Sequence, residues 1–191
     1  MKLGIDIDDV ITKSMEAYVE DYNKNYNDNL KYENIIDYRL WNLFKDFTEK
    51  DLIKFFDDFF EEKAYKLDLV KGVKEALNSL NSEHEIILIT SRPAIFNEKT
   101  KQFIDLHFPE LDLKIIHSDT STFNHSGKDK VDLCLENGID ILIEDQLRYA
   151  KKCADKNIKT FLFDCPWNQD VEENENMVRV KNWSEILEKL K

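Results

Sequence analysis

Two aspartates separated by one residue, Asp6 and Asp8, stand where the first apolar run of the chain ends. Alternate residues of a strand face the same side of a sheet, so both carboxylates can point into one site, roughly 6 to 7 Å apart along the backbone. At an effective dielectric constant near 20 they repel each other by roughly 2 to 3 kcal/mol. A bound cation removes this repulsion, and oxygen-only ligands suit Mg²⁺. The alternative is a solvated acidic turn, because so short a motif also occurs by chance.

A second acidic pair, Glu144 and Asp145, follows the apolar run of residues 141–143. Carboxylates that emerge from a buried strand lose hydration, which is unfavourable unless they are paired or bind a metal. The pair is therefore a further candidate for the cation site.

Groups suited to phosphate follow another apolar run, where Thr90, Ser91 and Arg92 supply hydroxyl groups, backbone N–H groups and a guanidinium. Their alternative role is to cap the next helix. Lys128 and Lys130 precede the helix that leads to the second acidic pair, and one lysine there can reach a phosphoryl oxygen. The alternative is that these lysines are solvated at the surface, as most lysines are.

Short apolar runs alternate with amphipathic segments, which predicts a Rossmann-like parallel sheet with helices on both faces. Five strands are predicted, at residues 2–6, 85–90, 113–117, 141–144 and 160–163. Helices are predicted at residues 73–80, 97–106, 130–136, 147–157 and 184–190. Ligands of open α/β sheets bind outside the carboxyl ends of the strands, where the acidic pairs and the phosphate-binding candidates are expected to meet.

The connection between the first two strands is too long for one crossover helix, which indicates an insert. Within it Met15, Val19 and Tyr22 recur at helical spacing, and a second helix is predicted behind the N-cap candidate Thr48. We therefore predict a small helical cap at residues 12–67, inserted after the first strand. The core domain then consists of residues 1–11 and 68–191.

Acidic residues outnumber basic ones, since 39 Asp and Glu stand against 27 Lys and Arg in 191 residues and the formal net charge is −12. This balance argues against nucleic acid or an anionic membrane as a partner, because affinity for phosphate groups needs clustered positive charge. We expect neither a signal peptide nor a membrane span, because acidic residues interrupt the N-terminal run and no apolar stretch is long enough. The three cysteines form no CxxC pair, which is typical of reduced thiols in the cytoplasm.

In their order along the chain, these pieces resemble the motifs of the haloacid dehalogenase superfamily of phosphotransferases. The residues that match its four motifs are, in order, Asp6 with Asp8, Thr90, Lys130 or Lys128, and Glu144 with Asp145. The insert is similar in position to the superfamily's helical cap. The segments DIDDVI, ITSRP and IEDQ further resemble the bacterial branch of the 5'(3')-deoxyribonucleotidase family.

This resemblance implies a phosphatase that works in two steps. Asp6 would attack phosphorus and form an aspartyl-phosphate. Asp8 would protonate the leaving oxygen and then deprotonate the attacking water. Mg²⁺ would be held by Asp6, the backbone carbonyl of Asp8 and Asp145, with Glu144 assisting from beside it.

The phosphoryl oxygens would be bound, by the same resemblance, by Thr90, the backbone of Ser91 and one lysine. Lys130 is preferred to Lys128, because it opens the helix before the fourth strand as the family's lysine does. Arg92 is a further candidate for contacts with phosphate or sugar.

Substrate choice is expected in the cap, since the core motifs bind only phosphate. Tyr38, Trp41 and Phe44 belong to an aromatic-rich stretch, and one ring stacked on a nucleobase contributes roughly 1 to 3 kcal/mol. The alternative is that these rings form the cap's own core. Trp167 either lines the entrance to the site or packs its loop down.

We expect hydrolysis of nucleoside monophosphates, with deoxyribonucleotides preferred, by a monomer or a homodimer that takes a small phosphorylated substrate. Two alternatives remain open. One is a phosphatase of another small metabolite, such as a sugar phosphate. The other is a non-catalytic, phosphate-binding regulatory protein on the same scaffold.

Overall fold

The computed structural model describes residues 1–38, 44, 47–118, 128–171 and 174–191. Its strands, in chain order, are β1 Lys2–Ile5, β2 Glu85–Thr90, β3 Lys114–His117, β4 Ile141–Glu144, β5 Lys159–Phe163 and β6 Met177–Val180. They form one parallel sheet in the order β3-β2-β1-β4-β5-β6. The predicted Rossmann-like sheet is confirmed, and each predicted strand lies within one residue of its observed bounds.

The predicted number of five strands is wrong, because the described residues include a sixth strand, β6, at the edge of the sheet. This strand is four residues long, and Arg179 interrupts its apolar pattern. The Arg179 guanidinium donates hydrogen bonds to Asp164 and Asn168, which satisfy its charge beside the sheet. These partners come together only in the folded chain, so the sequence could not show how a strand that contains Arg179 is accommodated at the sheet edge.

The helices of the described ranges are α1 Ser14–Tyr26, α2 Glu49–Glu62, α3 Val73–Asn81, α4 Asn97–His107, α5 Lys130–Glu136, α6 Leu147–Ala154 and α7 Trp183–Lys189. Successive residues of β2 point to opposite faces of the sheet. Leu88 packs in the same core as α3, α4 and α7. Ile89 packs against α5 and α6 on the other face. Within the described ranges, no helix has both the length and the apolar character needed to cross a bilayer.

Gly4 allows β1 to occupy the centre of the sheet. A Cβ atom at this position would lie 3.1 Å from Cγ2 of Ile139 and 3.2 Å from Cδ1 of Ile89. Both neighbours belong to a buried core, so a side chain here would force them apart. The close packing fixes the strand that carries the first acidic pair.

Helices α1 and α2 lie in the insert and pack through aromatic side chains. Tyr18 of α1 makes an edge contact with Phe59 of α2, with ring centroids 4.6 Å apart. Helix α2 begins with a capping box in which Thr48 is the N-cap residue, as predicted. Phe60 of α2 stacks on Phe96 at 5.4 Å, which joins the insert to the residues after β2.

The two chain segments that connect the insert to the sheet run side by side. Thr12 and Leu69 form an antiparallel bridge, and the Val70 N–H donates to the Ile11 carbonyl at 2.8 Å. This pairing lies next to the boundaries expected from the sequence. The extent of the cap, residues 12–67, stays a prediction.

Candidate active site

The carboxyl ends of β1, β2 and β4 meet at one edge of the sheet. Ile5 of β1 pairs with Leu88 of β2 and with Ile143 of β4. The next residue, Asp6, donates its backbone N–H to the Ile143 carbonyl at 3.0 Å. Asp6 and Glu144 therefore leave neighbouring strands side by side.

Buried charged residues of the described chain gather at this edge. They are Asp6, Asp8, Asp9, Glu144, Asp145, Arg92 and Lys130. Burial of a charge is unfavourable unless the charge is paired or bound to a metal. Five carboxyl groups face only two cationic side chains among the described residues, so the site can accept further positive charge.

Lys130 occupies the middle of the acidic groups. Its Nζ lies 2.9 Å from Oδ2 of Asp6 and 2.7 Å from Oε2 of Glu144, and the side chain is fully buried. Burial alone lowers the pKa of Lys130, but the charges of Asp6 and Glu144 raise this pKa well above its ordinary value. Lys130 is therefore a fixed positive charge beside the first aspartate.

Lys128 lies elsewhere. Its Nζ pairs with Oε1 of Glu136 at 2.7 Å, and both side chains are exposed. Of the two lysines considered from the sequence, the structure brings only Lys130 to the acidic pairs.

Three carboxylates can share one cation. One oxygen each of Asp6, Glu144 and Asp145 lies within 4.8 Å of the others, and all three residues are buried. Both Glu144 oxygens have partners, since Oε2 accepts from Lys130 and Oε1 accepts from the Gln146 N–H at 3.0 Å. Oδ1 of Asp145 is buried and has no hydrogen-bond partner among the described residues. This oxygen is a free ligand atom of the kind that a hard divalent cation binds. The three carboxylates therefore fit Mg²⁺.

Burial and neighbouring carboxylates raise the pKa of Asp6 and the pKa of Asp145. Burial and the charge of Glu144 raise the pKa of Asp6 well above its ordinary value, although Lys130 opposes the shift. Burial, Glu144 and Asp6 raise the pKa of Asp145 in the same way. A cation between these groups would favour their ionised forms and so reverse the effect.

Asp8 is held by Arg92 in a buried ion pair. Nη2 of Arg92 lies 2.7 Å from Oδ1 of Asp8, and Nε lies 2.9 Å from Oδ2. Ser14 donates a further hydrogen bond to Oδ1. Burial raises the pKa of Asp8, but the charge and hydrogen bonds of Arg92, together with the bond from Ser14, lower it overall. The guanidinium expected at phosphate thus binds the second aspartate, while its Nη1 has no partner in the described part of the chain.

Thr90 and Ser91 lie where the sequence placed them, after β2. The fully buried Thr90 accepts a hydrogen bond from the Arg92 N–H at 3.1 Å through Oγ1. Ser91 Oγ lies 3.1 Å from Oγ of Ser118 and 3.2 Å from the hydroxyl of Tyr149. The hydroxyl of Ser91 is therefore oriented by Ser118, which follows β3, and by Tyr149 of α6.

Tyr149 and Trp167 contact groups of the site but had no role in our interpretation of the motifs. Nζ of Lys130 lies 4.8 Å from the ring centroid of Tyr149, which places the ammonium over the ring. Trp167 donates its indole N–H to Oδ2 of Asp145 at 2.9 Å. The available signal for Tyr149 was its position one helical turn after Asp145. Trp167 had only its place after the fifth predicted strand.

The aromatic residues proposed to recognise substrate in the cap lie in different environments. Phe44 is 1% exposed and stacks on Tyr22 at 4.0 Å, so the structure gives it a packing role and not a surface for substrate. Tyr38 is half-buried, and its ring centroid lies 5.8 Å from that of Trp167. Trp41 lies outside the described residues.

The sheet, its strand order and the acidic strand ends define a fold of the haloacid dehalogenase type. The haloacid dehalogenase-like family hydrolase SP0104 from Streptococcus pneumoniae superposes with a TM-score of 0.67 at 12% identity, covering 100% of this chain and 98% of that one. The "putative HAD-hydrolase YfnB" from Bacillus subtilis, described as bound to magnesium, has a TM-score of 0.60 at 17% identity and covers 99% and 97%. These likenesses confirm the fold.

The family described as "5' nucleotidase, deoxy (Pyrimidine), cytosolic type C protein" matches residues 1–190, and the chain belongs to this family. A curated relative, "Putative nucleotidase YqfW" from Bacillus subtilis (strain 168), is 29% identical over 98% of this chain and 92% of its own length. The resemblance to this group of phosphatases is therefore confirmed. The chain is a phosphoric monoester hydrolase of the nucleotidase class.

Proposed function

We propose that this protein is a Mg²⁺-dependent phosphatase that hydrolyses nucleoside monophosphates, with deoxyribonucleoside monophosphates preferred. The observation that carries the proposal is the convergence of Asp6, Glu144 and Asp145, with ligand oxygens within 4.8 Å of one another. The family to which the chain belongs supports the nucleotide as substrate.

Asp6 is the nucleophile in this proposal. Its Oδ1 accepts from the Ile7 N–H at 2.8 Å, and its Oδ2 lies beside Lys130. These contacts fix the carboxylate and lower its repulsion from an anionic ester. One Asp6 oxygen forms a bond to phosphorus while the ester oxygen leaves, and water then cleaves the aspartyl-phosphate to release inorganic phosphate.

Asp8 transfers the protons of both steps. In its protonated form it gives a proton to the leaving ester oxygen, and the carboxylate formed in that step takes a proton from the attacking water. Arg92 and Ser14 hold its carboxylate in one orientation. Because Nη1 of Arg92 has no partner among the described residues, the guanidinium can bind a phosphoryl oxygen while it keeps Asp8 in place.

Mg²⁺ would be held by Asp6, Asp145 and the backbone carbonyl of Asp8, with Glu144 beside it. When bound, the ion offsets the negative charge that an anionic nucleophile and an anionic ester bring together. Thr90, the Ser91 backbone and Lys130 bind the phosphoryl oxygens in this arrangement.

The cap, which we place at residues 12–67, selects the leaving group. Tyr32 and Tyr38 lie against Trp167, with ring centroids 5.6 and 5.8 Å from it. Half-buried rings beside the acidic groups are suited to stack on a nucleobase. The three cysteines, each in the described part of the chain, are buried and free, which supports a reducing compartment such as the cytoplasm.

A panel of phosphate esters tests the proposal. Phosphate release from ribo- and deoxyribonucleoside 5'- and 3'-monophosphates is measured beside sugar phosphates, with Mg²⁺ and with a chelator. We expect turnover only with Mg²⁺ and a preference for the deoxyribonucleotides. Asp6→Asn should remove turnover while circular dichroism shows a folded protein. Equal rates on nucleotides and sugar phosphates would contradict the substrate, and turnover by the Asp6→Asn protein would contradict the nucleophile.

A further inference from the structure

Trp167 connects the candidate metal site to the insert. On one side, its indole Nε1 donates to Oδ2 of Asp145 at 2.9 Å. On the other side, its ring meets the edges of Tyr32 and Tyr38 at interplanar angles of 81° and 65°. One side chain therefore contacts both an acidic group of the core and two aromatic residues of the predicted cap.

The indole makes the two oxygens of Asp145 unequal. Oδ2 accepts the hydrogen bond from Trp167, whereas Oδ1 is buried with no partner among the described residues. A carboxylate with one oxygen occupied cannot rotate freely, and it presents the other oxygen to a cation. The hydrogen bond thus selects the atom of Asp145 that is available as a ligand.

The backbone around Trp167 is held firmly. Asn168 is 1% exposed and donates from Nδ2 to the carbonyls of Asp145 and Phe163, each at 2.7 Å. Arg179 donates to Oδ1 of Asn168 at 2.6 Å. Movement of this loop would break buried hydrogen bonds, which is unfavourable. The indole is consequently fixed relative to the backbone of Asp145, and the tyrosine contacts limit rotation of its ring.

We propose that Trp167 is a positioning residue for the divalent cation. Its N–H holds the Asp145 carboxylate so that only Oδ1 faces the ion, and Tyr32 and Tyr38 keep the indole in the required orientation. This inference rests on the Mg²⁺ site of the proposed function. Partners that orient a metal ligand commonly change metal affinity by about 10- to 100-fold, and we expect a loss of this size without the N–H.

Calorimetric titration of the full-length, metal-free protein with Mg²⁺ tests this inference. Trp167→Phe should bind Mg²⁺ about 10- to 100-fold more weakly than the wild type. Replacement of Trp167 by 3-(3-benzothienyl)alanine, which keeps the bicyclic ring and replaces the N–H by sulfur, should give a similar loss. Trp183→Phe is the matched control, because its indole N–H bonds to the Val10 carbonyl and not to Asp145. The control should retain wild-type affinity.

The tyrosine contacts require a second pair of variants. Tyr32→Leu removes an aromatic edge from Trp167 and should weaken Mg²⁺ binding, whereas Tyr32→Phe keeps that edge and should restore it. Equal affinity in the Tyr32→Leu and Tyr32→Phe proteins would overturn the role of the cap contact. Circular dichroism on each variant shows whether the protein is folded.

The outcomes separate this inference from the proposed function. If the wild type and both Trp167 variants bind Mg²⁺ equally, the positioning role is wrong and the proposed Mg²⁺ site stands. If the benzothienyl protein binds like the wild type while Trp167→Phe does not, the N–H is not the cause and the positioning role is likewise wrong. If the wild type itself binds no Mg²⁺, the proposed Mg²⁺ site and this inference are both overturned.

Discussion

Arg92 and Asp8 form a buried, two-pronged ion pair in which Nη2 and Nε each contact a carboxylate oxygen, at 2.7 and 2.9 Å. The pair joins the segment after β1 to the turn after β2, and its two residues are 84 positions apart in sequence. It therefore fixes the second aspartate of the acidic pair and ties the first two strand ends together.

Arg92→Ala should strongly destabilise the protein. Removal of one partner of a buried ion pair leaves the other charge uncompensated, which costs about 3 to 5 kcal/mol. Urea unfolding followed by circular dichroism measures this loss. Lys101→Ala removes an exposed pair with Asp105 and should leave the urea midpoint almost unchanged. A similar small effect for Arg92→Ala would show that the ion pair is not a stabilising contact.

Lys130→Met should lower kcat by about 100- to 1,000-fold, the range found when one group that stabilises transition-state charge is lost. The reason is its contact with Asp6 at 2.9 Å and its place among the acidic groups. Lys128→Met should retain wild-type turnover, because Lys128 pairs with Glu136 at the surface. Steady-state kinetics on both variants distinguishes the two lysines, and the reverse result would assign the phosphate contact to Lys128.

Tyr149 should contribute to turnover through both its ring and its hydroxyl. Tyr149→Phe keeps the ring beneath the Lys130 ammonium and loses the contact with Ser91, so kcat/KM should fall by no more than about 10-fold. Tyr149→Leu also removes the cation–π contact, so its kcat/KM should be lower still. Equal activity of the two variants would show that the ring contributes nothing beyond packing.

Asp145→Asn should stabilise the metal-free protein and remove its response to Mg²⁺. The substitution removes the charge of one of five buried carboxyl groups that repel one another. The amide oxygen that remains accepts the hydrogen bond from Trp167, so an NH2 group, which cannot bind a cation, replaces the oxygen proposed as a ligand. For the wild type, Mg²⁺ at about 100 times its Kd should add about 2.7 kcal/mol of stability.

Thermal unfolding with and without Mg²⁺ measures both effects. We expect a higher Tm for metal-free Asp145→Asn than for the metal-free wild type, and an increase on addition of Mg²⁺ only in the wild type. A Mg²⁺-dependent increase of the same size in the variant would exclude Asp145 as a ligand.

The strands and helices around the site could be predicted because their signals are local. Residues 85–90 and 141–144 contain apolar runs of strand length, and the structure has strands with these bounds. The edge strand β6 was not predicted. Its Arg179 interrupts the apolar run and hydrogen-bonds to Asp164 and Asn168, which belong to other segments of the chain. Phe44 shows the same limit, because aromatic content cannot distinguish a ring that packs in the cap from a ring that meets a substrate.

By itself, the sequence determined five of the six described strands, the position of the insert and the acidic strand ends, because periodicity and the order of motifs along the chain are local properties. Only the tertiary structure decided the partners: Arg92 with Asp8, Lys130 with Asp6 and Glu144, and Trp167 with Asp145. Each of these contacts joins side chains from separate segments. Their geometry depends on burial and on the way the loops pack, which the spacing of residues does not encode.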